Sequence, residues 1–592
     1  MQNNFRHSFA DGTQGDLARY WSELSYAENQ LVFKEGETAD TFAVVVSGKV
    51  RIELEQGELD SDNVLARLGP GDWIGELALL DGGPRSASVI ADSPLTLRLL
   101  SADALKQMEQ HHPAAAIAIY RALGASAAGK LRLANDRLAS AIFEAKDPEV
   151  ETRVAAAREV LPILLAASED SIDGLLDKLA DHFFLHAKEL AELTVATTGL
   201  GNVPHKIEKN HFASRGVLSS IRGNPGFGIL GPEHHGTLEI ASPAGVVFGL
   251  IPVTNPVATA IFKALVCLKS RNAPILSFPR RAAEIGTRVD EMFRALLTEC
   301  EWPAATIQTV THQNSRRRTE AFFRHPGVDL ILATGGSSMV KAAYRSGKPA
   351  YGVGAGNAPC FIADDADPAT AAAMIVLSKS FDNGLICGSE HNLVVHQSRL
   401  ATLTHALESS GAAVLTPAEA SSFHTIILTE DGSSIRRKHI GQSAASIAAA
   451  ASITRDHPIR LIVIPTSNNL IGKSHALSNE KMAPVLSLFT TPTNDEAIAA
   501  CKSLLENDGR GHTAVIHTAD PLLARRFALE MPASRILHNT PATHGVIGIT
   551  TALTPSLTLG CGFFGGNSTT DNVTYSHLRN VKRLASHITP SN

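Results

Sequence analysis

Cysteine is scarce in this chain: six residues in 592 (Cys267, Cys300, Cys360, Cys387, Cys501 and Cys561), with no Cys-x-x-Cys pair and no metal-ligand spacing. That scatter excludes a disulfide framework and a thiolate zinc site. It predicts a protein of the reducing cytoplasm with no bound metal. Long apolar runs are also missing. Stretches such as 244–253 reach about half of what a bilayer span requires, and the opening MQNNFRHSFADGTQ has no apolar core of a secretory signal. A soluble protein without a membrane partner is expected. Charge is sparse too, at 19% of residues with a net of −6. With no clustered basic stripe there is no electrostatic footprint for nucleic acid. The one basic run, Arg316 to Arg318, is expected at a solvated helix end.

What is present suits a globular chain of several domains. The hydrophobic fraction is 44%, and about one domain per 150 residues gives roughly four units, or three with one large one. No fixed-period repeat is visible. From 31 to 100, short β-branched runs (FAVVVSG, VRIELEQG, TLRLL) alternate with glycine-containing turns, the pattern of antiparallel strands closing into a small roll. From 101 to 145 the pattern is helical, with Leu131, Ala134, Leu138 and Ile142 spaced to share one face. Long amphipathic helices follow from 149 to 212. From 238 onward, apolar strands alternate with alanine-rich helices, which predicts an α/β fold with a largely parallel sheet.

Residues 74–89, IGELALLDGGPRSASV, outline a small-ligand cradle. A turn through Gly75, followed by a short helix near Leu77, would point free N–H groups outward, an arrangement that attracts phosphate. Arg85 offers a planar fork to phosphate oxygens, and Glu76 can accept from a sugar hydroxyl. On the residues alone, a glycine turn at a barrel rim with a surface arginine accounts for the stretch equally well. The segment also resembles the phosphate-binding cassette of the cyclic nucleotide-binding domain family, through Gly75, Glu76, Leu77, Ala78, Pro84, Arg85, Ser86 and Ala87. The upstream glycines in FKEGE, VVSGKV and LGPGDWIGE have counterparts in that family's roll. The resemblance implies cAMP or cGMP as effector, with Ser86 able to bond the phosphate or a purine edge and cAMP the commoner ligand.

Three further segments carry chemistry. FDNGLICGSE (381–390) sets Cys387 beside Gly388, where a sulfur is approachable and nearby N–H dipoles favour its thiolate. A lone cysteine is more often a small buried hydrophobe. PVTNPVATAIFKAL (252–265) presents the Asn255 amide at a strand-to-helix turn, and ILATGGSSMVKAAYRSGKP (331–349) reads strand, Gly335-Gly336, helix, an anion site by the same N-terminal logic.

Together with KNHFAS (209–214), GKPAYGVGAGNAP, NEKMAPVL (479–486), PSLTLGCGFFGGNS (555–568) and HLRNVKR (577–583), these segments resemble the CoA-acylating branch of the aldehyde dehydrogenase superfamily, over about 149–585. The resemblance implies Cys387 as the nucleophile. The Asn255 side-chain amide and the Cys387 backbone N–H would receive the alkoxide, Thr254, Gly335 and Gly336 would hold the cofactor, and Glu480 the nicotinamide ribose. Hydrolytic members carry a Glu general base where this chain has Val353. Without a base to deprotonate water, a thiol such as that of CoA is the better deacylating nucleophile.

The expected architecture is therefore multidomain: a β-roll with flanking helices, followed by an α/β aldehyde dehydrogenase fold with a Rossmann-like cofactor domain and a catalytic domain. The spans are 1–112 for the roll, 113–148 for connecting helices, 149–362 for the NAD-binding domain and 363–555 for the catalytic domain. Residues 556–592 form a C-terminal segment for oligomerisation or return to the cofactor domain. A homo-oligomer, dimer or tetramer, is expected. NAD is the expected cofactor, with NADP open because Arg280 and Arg281 could hold a 2′-phosphate. The aldehyde is undetermined; residues 258–265 and the surroundings of Phe563 and Phe564 are expected to shape its pocket. Two other readings stand beside a nucleotide-regulated enzyme. One keeps the enzyme with a ligand-free oligomerisation module in front, and the other is a non-catalytic nucleotide sensor.

Overall fold

Two compact units, 1–145 and 146–592, make up the protein in the computed structural model, which describes residues 15–53, 64–143, 147–312 and 314–587. The first unit is a roll of two four-stranded antiparallel sheets. One sheet is ordered Trp21–Tyr26, Leu95–Ser101, Thr41–Ser47, Trp73–Ile74, and the other Leu31–Phe33, Ser88–Ala91, Val50–Glu53, Val64–Leu68. Leu95, Leu97 and Leu99 point inward while Thr96 and Arg98 are partly exposed, the period of two that makes one face of a strand a core face. Strand Trp21–Tyr26 lies ahead of the expected start at residue 31. Four of its six residues are exposed, so it shows no apolar alternation. Of the expected strand VRIELEQG, residues 54–57 lie outside the described part.

Helix Ala102–His111 begins where the Ser101 hydroxyl accepts from the Ala104 N–H at 3.1 Å. Helix Pro113–Phe143 packs through Ala116, Ile119 and Leu123, spaced three and four apart, in a cluster with Met108, Phe42 and Trp73. Leu131, expected on the apolar face, is 63% exposed. The buried stripe ends a turn or two earlier. The side chains of Ala134, Leu138 and Ile142 lie outside the described part, as do residues 1–14.

The second unit opens with helices Pro148–Ala166, Glu169–Leu185, Ala187–Thr198 and Val203–His211. A five-stranded parallel sheet follows in the order Gln308–Val310, Ala273–Ser277, Val246–Leu250, Leu330–Ala333, Ala350–Gly352. A seven-stranded parallel sheet runs Ala412–Val414, Leu461–Pro465, Val485–Thr491, Glu390–His396, Ala358–Ile362, Gly511–His517, Ala533–His538. Strands such as Val246–Leu250 and Ala273–Ser277 are buried at every position, which is why they read as continuous apolar runs. Helix Pro256–Lys269 is likewise buried at all of its 14 residues.

The chain crosses from one sheet to the other through Val353–Asn357, between strands Ala350–Gly352 and Ala358–Ile362. The C-terminal strand Arg579–Ala585 returns to pair antiparallel with Thr237–Pro243 in a separate three-stranded sheet. The Arg316 run lies, as expected, at a helix end, the N-terminus of Arg316–Arg324, with Arg316 and Arg317 exposed. Ser315 caps it, and Arg318 pairs with Asp147 at 3.0 Å. Among the described residues, no helix is long and apolar enough to cross a membrane.

Candidate active site and candidate nucleotide site

The crossing at Val353–Asn357 is one wall of a cavity of about 290 Å³. Into it the fold brings Thr254, Asn255, Gly335, Gly336, Cys387 and Glu480, residues drawn from four separate stretches of sequence. Asn255 precedes helix Pro256–Lys269 without capping it, so its amide is available to the cavity. Gly335 and Gly336 lie between strand Leu330–Ala333 and helix Ser337–Arg345. Both are exposed, and a Cβ added to either would meet no atom within 4 Å, so an extended group can lie across this backbone.

Cys387 stands just ahead of strand Glu390–His396, and its carbonyl is so close to the crossing loop that a Cβ at Gly356 would approach it to 1.8 Å. Only glycine permits that approach. Gly388 is pinned in the same way against Val546. Burial pushes the Cys387 thiol up to about 12, with Glu480 and Cys561 adding to the rise and Arg535 opposing it. Desolvation thus outweighs the N–H dipoles expected to favour the thiolate. Arg535 is itself buried, donating to Gly560 O at 2.7 Å and Thr570 O at 3.1 Å.

Glu480 accepts from the Gly356 N–H at 3.1 Å, and burial together with Asp508 pushes its carboxyl up to about 8. Among the described residues it is the one carboxylate lining the cavity. Val353, where hydrolytic relatives were expected to carry Glu, is a buried apolar wall. Further apolar lining comes from Ile386, Leu385, Met482, Ile547, Leu557 and Leu559. Phe563 and Phe564, expected in the aldehyde pocket, do not line it. They occupy a turn where Phe563 is 93% exposed. Of residues 258–265, Thr259 alone reaches the cavity. Arg280 and Arg281 follow strand Ala273–Ser277 and are exposed, each donating to one backbone carbonyl, Asn314 O and Thr198 O.

One group behind the site was not anticipated from sequence. Turn Phe381–Gly384 holds Asp382, Asn383 and Gly384 at φ of 46°, 56° and 72°. The buried Asp382 carboxylate receives Asn202 N–H at 3.0 Å, Lys206 Nζ at 3.1 Å and Lys209 Nζ. Lys206 also donates to Thr254 O at 3.0 Å, and Lys209 to Asn255 Oδ1. KNHFAS marks Lys209 as part of the resemblance, yet no spacing links it to Asp382 or Asn255.

In the first unit, helix Glu76–Asp81 starts directly after Gly75, whose φ is 76°. The buried Arg85 donates to Gly75 O at 3.0 Å and Thr41 Oγ1 at 3.2 Å, and lies 3.8 Å over the Phe33 ring. Burial lowers its affinity for its proton, and Asp40 and Glu37 partly restore it. Those two bonds leave further N–H donors of the guanidinium for an anion. Glu76, only 1% exposed, accepts from Lys130 Nζ of helix Pro113–Phe143 at 2.7 Å, and the same ammonium donates to Trp73 O at 2.8 Å. Ser86 and Leu77 are exposed and Ala87 half-buried; the side chain of Ala78 lies outside the described part.

Residues 133–550 match the aldehyde dehydrogenase family, and residues 23–112 match the cyclic nucleotide-binding domain. The chain belongs to the aldehyde dehydrogenase family. A bifunctional aldehyde-alcohol dehydrogenase of Escherichia coli (strain K12) is 37% identical over 402 residues, covering 67% of this chain and 45% of that protein. A succinate-semialdehyde dehydrogenase (acetylating) of Clostridium kluyveri is 32% identical over 422 residues, covering 71% of this chain and 92% of that one. The crystal structure of an acetylating aldehyde dehydrogenase from Geobacillus thermoglucosidasius matches with a TM-score of 0.71 at 37% identity, covering 75% of this chain and 97% of that one. The chain spans about half the length of the aldehyde-alcohol dehydrogenases it matches. This aldehyde dehydrogenase thus joins an antiparallel roll with a cyclic nucleotide-binding domain to the α/β fold of the acetylating enzymes.

Proposed function

We propose that this aldehyde dehydrogenase is CoA-acylating, interconverting aldehyde, CoA and NAD⁺ with acyl-CoA and NADH, and that cyclic nucleotide bound to its first unit sets the rate. The observation that carries the first part is the cavity itself: Cys387 and Asn255 share it, and apolar Val353 stands where a water-activating carboxylate would be needed. After its proton passes to solvent, which the half-buried Cys387 reaches, the sulfur bonds to the aldehyde carbon and the carbonyl π pair moves to oxygen, whose charge the Asn255 amide and the Cys387 N–H receive. Losing one such donor costs on the order of 10²-fold in rate. When bound, the nicotinamide would supply the hydride acceptor and CoA the thiol to which Cys387 would pass the acyl group. Gly335, Gly336 and Thr254 would hold the cofactor and Glu480 its ribose, with NADP an alternative to NAD at Arg280 and Arg281.

In this reading residues 149–362 serve the cofactor, 363–555 the chemistry, and the C-terminal segment an oligomer interface or a return to the cofactor domain. The proposed setting is the cytoplasm. Product analysis tests the activity: acyl-CoA should form, with CoA-dependent turnover of ping-pong character. Free carboxylate at a comparable rate without CoA overturns it and makes Glu480 the water-activating carboxylate.

The nucleotide half rests on the buried Arg85 and Glu76 beside Gly75. cAMP is the favoured effector over cGMP. The Lys130 ammonium on Glu76 favours a second reading, in which the unit is a ligand-free assembly module. Thermal unfolding with and without cAMP separates the two.

A further inference from the structure

The amide of Asn255 can serve an oxyanion only if its nitrogen, not its oxygen, faces the reacting carbon. Nothing in the cavity's apolar walls enforces that choice. Behind it, the Lys209 nitrogen touches two oxygens, Asn255 Oδ1 and Asp382 Oδ2. Each of these oxygens accepts an N–H from Lys209, and the ammonium has no lone pair with which to accept in return. An Asn255 amide turned the other way would set N–H₂ against N–H at that point. The Asn255 amide nitrogen has only a 3.4 Å contact to Thr254 Oγ1 and stays free for a further acceptor.

We infer that Lys209 is a positioning residue that fixes the flip of the Asn255 amide, with Asp382 tying that lock to the turn leading into Cys387. The inference rests on the proposed oxyanion role of Asn255. The geometry supports it from both ends. Lys206 holds the backbone of the same stretch through Thr254 O at 3.0 Å and shares Asp382 at 3.1 Å. Asp382 is itself seated tightly, since a Cβ at Gly201 would fall 2.0 Å from its Oδ1. The nucleophile turn and the amide turn, more than 120 residues apart in sequence, are thus referenced to one carboxylate. Removing Lys209 leaves Lys206 and Asp382 as a balanced buried pair, so Lys209→Met strands no charge.

The test is a double-mutant cycle in the full chain with Lys209→Met, Asn255→Ala and the pair, reading kcat, the KM for CoA, and thermal unfolding. Rates are expressed per Cys387 thiol that iodoacetamide labels at the wild-type rate, so misfolded molecules do not count. Asn255→Ala should lower kcat by about 10²-fold. Lys209→Met should lower kcat by at least about tenfold with the KM for CoA unchanged, and the pair should be no slower than Asn255→Ala alone. Losses that multiply in the pair, or a wild-type kcat in Lys209→Met, overturn the positioning role. A wild-type kcat in Asn255→Ala overturns instead the oxyanion reading on which it rests. If Lys209→Met yields no labelled thiol at all, Lys209→Gln is read in its place. Its terminal amide can turn either oxygen or nitrogen to Asn255, so a fall in kcat of several-fold at unchanged labelling is expected, and wild-type kcat there overturns the proposal.

Discussion

Cys387 tests the chemistry with the fewest assumptions. Cys387→Ser keeps the shape of the site and removes the nucleophile, so aldehyde turnover should vanish while the thermal midpoint stays within a degree or two. Residual activity above a few per cent would assign the attack to another thiol. Cys561 is the strictest control, because its sulfur lies 3.4 Å from where a Gly354 Cβ would stand on the same wall. Glu480 makes a second, pH-based prediction. Its carboxyl, at about 8 in the fold against 4.5 when free, keeps a proton that the unfolded chain releases. Stability from this group is therefore full below about 4.5 and lost as pH rises to about 8. Glu480→Gln cannot lose that proton, so its thermal midpoint should fall less than wild type between about pH 5 and about pH 8. Parallel curves would mean that Glu480 is ionised in the fold at neutral pH.

At the scale of elements, helix Pro113–Phe143 does something its sequence does not announce. Its apolar positions Ala116, Ile119 and Leu123 dock it on the roll, and two turns later Lys130 reaches the cradle and occupies Glu76. A ribose hydroxyl aimed at Glu76 must compete with that ammonium. Lys130→Met removes the competitor and leaves a buried carboxylate short of a partner, so cAMP should bind several-fold more tightly by calorimetry while the roll without nucleotide loses stability. Weaker binding would mean that the ammonium stays and contacts the ligand.

Periodicity and turn residues made the strands, the parallel sheet and the strand-to-helix turns at Asn255 and Gly335-Gly336 legible, because each sits at a chain feature visible within about ten residues, whereas Cys387 as nucleophile and Glu480 as ribose partner came from the family resemblance. Lys130, Lys209 and Asp382 act through partners 54, 46 and 173 residues away. No local spacing encodes such pairs. Phe563 failed for the converse reason: an aromatic beside a glycine-rich turn looks like pocket lining, and exposure is decided by the turn's direction. Leu131 likewise kept helical spacing, yet it is 63% exposed while its neighbour Lys130 reaches the roll.

For the whole molecule, the question is why a cyclic nucleotide-binding domain precedes an aldehyde dehydrogenase fold. A ligand shifts a two-state equilibrium only by its differential affinity for the two states, commonly about 1 to 3 kcal/mol, or roughly 5- to 150-fold. If nucleotide governs the Cys387 chemistry, saturating cAMP or cGMP should change the rate of acyl-CoA formation by at least several-fold, with activation the expected sign. The response must pass through Arg85, the buried fork of the cradle. Arg85→Ala should abolish it and leave the unstimulated rate near wild type, because Arg85 belongs to the first unit and the residues named in the Cys387 chemistry belong to the second. A chain lacking 1–145 should show one fixed rate, indifferent to nucleotide. Linkage supplies an independent check: an aldehyde dehydrogenase whose rate rises through tighter binding of aldehyde must bind nucleotide more tightly by the same factor when aldehyde is present. Nucleotide that binds, by calorimetry, without changing rate or substrate affinity would exclude gating and assign the first unit to assembly.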